Sequence, residues 1–273
     1  MELDQTDRVV LREAYQRLEN PSLAIRMSSA VGVPVEAVTR ELGKRAPETV
    51  VDAVSKSTRK AIEVVLQTSM KSISSAEGAS SNPRLHTAAA ATTGAVAGFF
   101  GVQSLVVELP LTTGIMFRSI ADIARAEGES LEDPETILNC MEVFAMGSSA
   151  SDKDDAAETS YYGVRLALSK AITDALQYVA THRSSSVTAP ALVRLISALA
   201  SRFGIVVTQK AMAQAIPVIG AVGGGLVNTI FISHFQDMAR AHFAVRRLER
   251  KYGAEAVREA YKQLPESEVA TEL

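Results

Sequence analysis

Residues 87–107 read TAAAATTGAVAGFFGVQSLVV and run without a charge into Glu108-Leu109-Pro110-Leu111-Thr112-Thr113. A second uncharged run separates Lys210 from Asp237 and carries Pro217, Gly220, Gly223, Gly224 and Gly225. In the first run Gly94 and Gly98 stand at GxxxG spacing, with Gly101 close by. Glycines four apart share a helix face and let a second backbone approach, each at a cost of about 1 kcal/mol relative to alanine. Packing into the groove offsets that cost, so both runs are expected to form helical hairpins whose glycine faces meet. Membrane spanning is the rival reading, because a span needs about 20 apolar residues. Thr87, Thr92, Thr93, Gln103 and Ser104 dilute the first run, and Gln214, Pro217 and Asn228 dilute the second. Burial within a helical domain is therefore the expectation.

Outward from these runs the apolar periodicity is helical throughout, which predicts an all-α, multi-helix bundle. Val9, Val10, Ala14 and Leu18 recur at helical spacing behind Asp7 as a cap, and short helices are predicted over 22–30 and 35–42. Beyond Pro47, Val50, Val51, Val54, Ala61, Ile62, Val65, Leu66 and Ile73 trace one stripe of a long helix. Its other face carries Lys56, Arg59, Lys60, Glu63 and Lys71, a solvated face or one suited to anionic headgroups. Residues 72–83 read as a linker between an amphipathic N-terminal layer (1–75) and a helical core (84–264), the two forming one continuous domain. Pro110 is expected to break the chain, with a fresh helix over 113–126 on which Arg118 and Asp122 can pair. Gly128 stops it and Asp133-Pro134 opens the next. Further helices are predicted over 156–181, 191–203, 226–251 and 254–264.

Composition narrows the function classes. Over 273 residues, aromatics make up 5%, Trp is absent and the net charge is −3, which argues against nucleic acid as a partner. Cys140 is the single cysteine, so no disulfide framework and no cysteine-based zinc site is expected. The acidic start, Glu2 to Asp4, lacks a basic n-region. A reducing cytoplasm is the expected compartment.

Each uncharged run leads into a helix with the same pattern, Asp122-Ile123-Ala124-Arg125-Ala126 in the first and Asp237-Met238-Ala239-Arg240-Ala241 in the second. This is either a degenerate repeat or convergence of Ala-rich helices. Glu108-Leu109-Pro110-Leu111-Thr112-Thr113, Arg118-Ser119-Ile120-Ala121-Asp122-Ile123-Ala124 and Ile216-Pro217-Val218-Ile219-Gly220-Ala221 follow in order. With Asn228 and the Arg247-Leu248-Glu249 to Tyr252-Gly253 end, they make the chain resemble the bacterial EcsC family from about residue 18 to 261. The resemblance implies no known reaction. The family takes its name from a locus that also encodes transporter components, which implies business at a membrane.

The candidate site residues follow from these features. Glu108 is the first charge after a long apolar run, and a carboxylate there is costly unless paired, with Arg118 or a helix N-terminus. Phe99, Phe100, Val106, Met116, Ile219 and Ile230 are expected to line an apolar contact, with Glu108, Arg118 and His234 as polar neighbours. His234 reads as a hydrogen-bonded core histidine. His234 and His242 are too far apart for the i, i+4 geometry that clamps zinc, so no metal is expected. Gly223-Gly224-Gly225 lacks the lysine of a P-loop, and no serine sits in a GxSxG elbow, so no cofactor or acyl nucleophile is expected. The expected function is binding, with possible transfer, of lipid or another apolar ligand on the inner face of the cell membrane. The alternatives are a hydrolase using Glu108 with Asp122 or His234, and an accessory partner of a membrane transporter.

Overall fold

The computed structural model describes residues 3–19, 23–32, 34–42, 44–73, 105–147, 160–182, 187–214 and 224–264. Ten α-helices account for nearly all of them: α1 (Gln5–Glu19), α2 (Leu23–Val31), α3 (Val35–Leu42), α4 (Glu48–Ile73), α5 (Leu105–Ala126), α6 (Pro134–Glu142), α7 (Tyr161–His182), α8 (Pro190–Gln214), α9 (Gly224–Tyr252) and α10 (Ala254–Lys262). A 3-10 turn, Val143–Ala145, follows α6. There is no strand among the described residues, so the expected all-α class holds.

Local chemistry explains most boundaries. Asp4, rather than Asp7, caps α1 by accepting from the Asp7 amide at 2.8 Å. Asp7 lies buried inside the first turn and takes Lys251 at 2.6 Å and the Tyr252 hydroxyl at 2.8 Å, tying α1 to the end of α9. Asp133 caps α6 through the Glu135 amide, with Pro134 in the first turn. Gly128 ends α5 at φ +85°, a left-handed geometry in which the Glu129 amide reaches back to the Ala124 carbonyl.

Three boundaries differ from expectation for one reason: tertiary packing carries helices through residues that locally disfavour them. Pro110 does not start a new helix, because α5 runs unbroken from Leu105 to Ala126. Pro110 is the sixth residue of α5, so its missing amide forfeits one intrahelical bond, to the carbonyl of Val106, and no more. Likewise α8 does not stop near Phe203 but continues into the second uncharged run as far as Gln214, and α9 begins within the glycines at Gly224. The glycine-rich segments proper, 87–104 and 215–223, lie outside the described residues, and with them the expected hairpins.

The core forms where α4, α5, α8 and α9 pack, with α5 and α8 both against α4 and α9 against α5. Phe144, Phe203, Phe231 and Phe235 are fully buried and interlock at its centre, Phe144 and Phe203 having ring centroids 5.1 Å apart. The helices that carry the sequence echo are α5 and α9, and they run parallel. Gln236 donates to Ser119 and Arg247 to Glu127, pairs separated by 117 and 120 residues, so the register is nearly constant along both helices. Helix α4 packs against α8 in the opposite sense: Val54 and Thr58 face Gly204, while Arg59 reaches Ser197.

Candidate functional site

Glu108 does not pair with Arg118. Its Oε1 accepts from the Lys210 ammonium at 3.0 Å, and the same nitrogen donates to Asn228 Oδ1 at 2.5 Å. Lys210 and Asn228 are fully buried and Glu108 is 8% exposed, so α5, α8 and α9 meet on a charged cluster shielded from water. The Lys210 nitrogen also stands 5.0 Å from the centre of the Phe231 ring, whose electron-rich face is a fitting neighbour for a cation. Burial pushes the Lys210 ammonium pKa below its ordinary value, and the Glu108 carboxylate acts against that shift. One and two positions past Leu111, Thr112 and Thr113 are buried with hydroxyls that have no hydrogen-bond partner.

In the sequence Lys210 stands only as the boundary of the second uncharged run. The available signal was charge complementarity: Glu108 closes the first run and Lys210 opens the second, and the signs are opposite. Asn228 belongs to the resemblance and, from its place just after the glycines, is expected to satisfy exposed carbonyls where the helix restarts. It supplies the neutral acceptor that the ammonium's second proton needs.

Of the other expected residues, His234 is a core histidine. It is fully buried, and its Nε2 donates to the Gly147 carbonyl at 3.1 Å. A carbonyl only accepts, so the proton sits on Nε2 and leaves Nδ1 bare and buried without a partner. Burial lowers its pKa to about 4. Gly147 has φ +84°, and a side chain there would run into the imidazole, so glycine is required twice over. Met116 and Ile230 are buried core residues. Arg118 is exposed on α5, and no ion pair joins it to Asp122. Phe99, Phe100 and Ile219 lie outside the described residues, as does the side chain of Val106. The carboxylates assigned to a hydrolase are not brought together: Glu108 and Asp122 are fourteen residues apart on one helix, about 21 Å along its axis.

A second polar cluster joins α6, α7 and α9. Arg165 grips Glu249 with both terminal nitrogens, at 2.6 and 3.1 Å, and donates to the Tyr161 hydroxyl at 3.2 Å. That hydroxyl lies 3.1 Å from Nδ1 of His242. With one lone pair of its oxygen taken by Arg165, the hydroxyl is free to give its proton to Nδ1, an arrangement that puts the imidazole proton on Nε2. Nε2 faces Glu142 Oε2 at 3.9 Å. Burial raises the Glu142 carboxyl to about 7 and depresses His242 well below the ordinary histidine value, so an acid and a neutral imidazole face each other. Tyr161, Glu142 and His242 are all buried, so no substrate reaches them in this packing. The sequence separations, 81 residues for Tyr161 to His242, left no local signal for this cluster.

Among the described residues no group of three or more His, Cys, Asp or Glu is placed to hold a metal. One described helix, residues Pro190–Ala213 of α8, is long and apolar enough to cross a membrane; it packs against α4 and α7 and carries Lys210. No curated protein and no solved structure shows significant similarity to the chain. The family comparison does: the EcsC protein family profile matches residues 23–248, most of the length, and the chain belongs to that family.

Proposed function

We propose that the protein binds lipid or another apolar molecule at a membrane surface, through the end of the bundle marked by Glu108 and Lys210. The observation that carries this reading is a set of large aliphatic side chains left exposed there. Leu111 on α5 is 53% exposed and Ile205 on α8 is 48% exposed, within a few residues of Glu108 and Lys210 respectively. Val51, expected in the buried stripe of α4, is 46% exposed, one turn before the Val54 that faces Gly204. Removing a leucine or isoleucine side chain from water is worth about 1.5–3 kcal/mol, so three such residues at one end favour an apolar partner. Both uncharged runs of the sequence join the described helices at this same end, at Leu105, Gln214 and Gly224.

The test is co-sedimentation of the full chain with phosphatidylcholine vesicles, paired with native mass spectrometry of the purified protein for retained lipid. Binding is expected to fall in a Leu111→Ser/Ile205→Ser variant that keeps its helical circular dichroism. Absence of both vesicle binding and retained lipid in the unaltered chain sinks the proposal.

A further inference from the structure

Helices α4 and α5 run away from the Glu108–Lys210 end, whereas α8 runs toward it. This follows from the Glu108–Lys210 contact and from the seating of Val54 and Thr58 on Gly204. Each of the three carries a cation set back from its exposed aliphatic residue. On α5, Arg118 is exposed seven residues beyond Leu111, on the same face and about 10 Å further along the axis. On α4, Lys56 and Arg59 are exposed beyond Val51. On α8, Arg202 precedes Ile205 and is half-buried. Lys56, Arg118 and Arg202 have no ion-pair partner among the described residues, and Arg59 bonds only to the neutral Ser197 hydroxyl. The acidic Glu48 and Asp52 near the same end are matched in number by Lys44 and Arg45. At about 1.5 Å per residue the cations stand about 4–12 Å behind their aliphatic residues, a span comparable to the roughly 5–10 Å over which interfacial helices bury their apolar face.

Resting on the reading above, we infer that the surface this end docks on is an anionic phospholipid bilayer, with Lys56, Arg59, Arg118 and Arg202 at the level of the phosphates. The aliphatic residues provide sequence-independent insertion, and the cations provide selection for negative headgroups. That selection is screened by salt, while the apolar contribution is not.

Co-sedimentation of the full chain with phosphatidylcholine vesicles and with vesicles of phosphatidylcholine and phosphatidylglycerol separates the two contributions. The mixed vesicles are expected to bind more tightly. A Lys56→Gln/Arg59→Gln/Arg118→Gln variant is expected to lose on the order of 100-fold toward them, about fivefold per cation, and to keep its binding to phosphatidylcholine. A control that removes three exposed cations from elsewhere, Arg17→Gln/Arg258→Gln/Lys262→Gln, is expected to lose far less. Equal affinity of the unaltered chain for both vesicles overturns the inference while leaving the apolar reading in place. So does an equal loss in the control, which reduces the effect to net charge. Failure to bind either vesicle overturns both.

Discussion

The Lys210 ammonium and the Glu108 carboxylate sit 3.0 Å apart with essentially no access to water, although 102 residues separate them in the chain. Taking two charges out of water is expensive, and a buried pair seldom returns much net stability. What it enforces is arrangement: α5, α8 and α9 can pack in this register only if Glu108, Lys210 and Asn228 all arrive together. The cluster lies where both uncharged runs enter the bundle, so it ties those entry points to one another.

Breaking the pair from one side is therefore expected to be costly. Lys210→Met leaves a buried carboxylate unpaired and should lower unfolding free energy by about 3–5 kcal/mol in urea denaturation. A Glu108→Leu/Lys210→Met double variant removes both charges and should recover most of that loss. A double variant as unstable as the single one would show that the cluster does more than balance charge.

Gly147→Ala should destabilise by at least about 2 kcal/mol, because it combines a left-handed backbone with a side chain driven into His234. Chemical denaturation of the variant, of His234→Ala and of the combination forms a double-mutant cycle. The steric part should relax in the combination and the backbone part should persist.

Stability should depend on pH through two histidines opposed by one carboxyl. His234 titrates near 6.5 when unfolded and near 4 when folded, so its contribution is present above 6.5 and is lost as pH falls toward 4. His242, depressed by burial, acts in the same direction. Glu142 titrates near 4.5 unfolded and about 7 folded, so its contribution is present below 4.5 and is lost as pH rises through 7. A shift of this size in His234 or Glu142 corresponds to about 3 kcal/mol. Urea midpoints across this range should rise with pH more steeply in Glu142→Gln than in the unaltered chain. In His234→Gln the rise should be shallower or reversed.

Tyr161→Phe should cost about 1–3 kcal/mol, since it leaves His242 Nδ1 buried without its donor and removes an acceptor from Arg165. Arg165→Lys should cost a similar amount, because an ammonium cannot reproduce the two-pronged contact with Glu249. Thermal unfolding of both variants, followed by circular dichroism, reads the effect directly.

Much of the fold was legible because it rests on contacts within a few residues. Asp133 and Pro134 mark the start of α6, and Gly128 and Gly253 adopt the positive φ angles expected of residues that close a helix. The errors were also local in origin. Locally, Pro110 and the residues after Phe203 favour breaks, yet burial of Leu109, Met116, Val206 and Val207 outweighs the lost amide and the weak propensity. Val51 fits an apolar stripe by spacing, but the helices around α4 do not cover it.

The sequence alone determined that this protein is a helical bundle of the EcsC family whose two uncharged runs are each bounded by a charge. Periodicity, capping and glycine geometry act over one or two turns, and a chain displays them without reference to its partners. Only the tertiary structure decided that Glu108 belongs with Lys210 and Asn228, that Tyr161 belongs with His242, and that Leu111 and Ile205 remain in contact with water. Those outcomes depend on which helices pack and in what register. A buried charge accepts whichever opposite charge the packing delivers, however far away it lies in the chain.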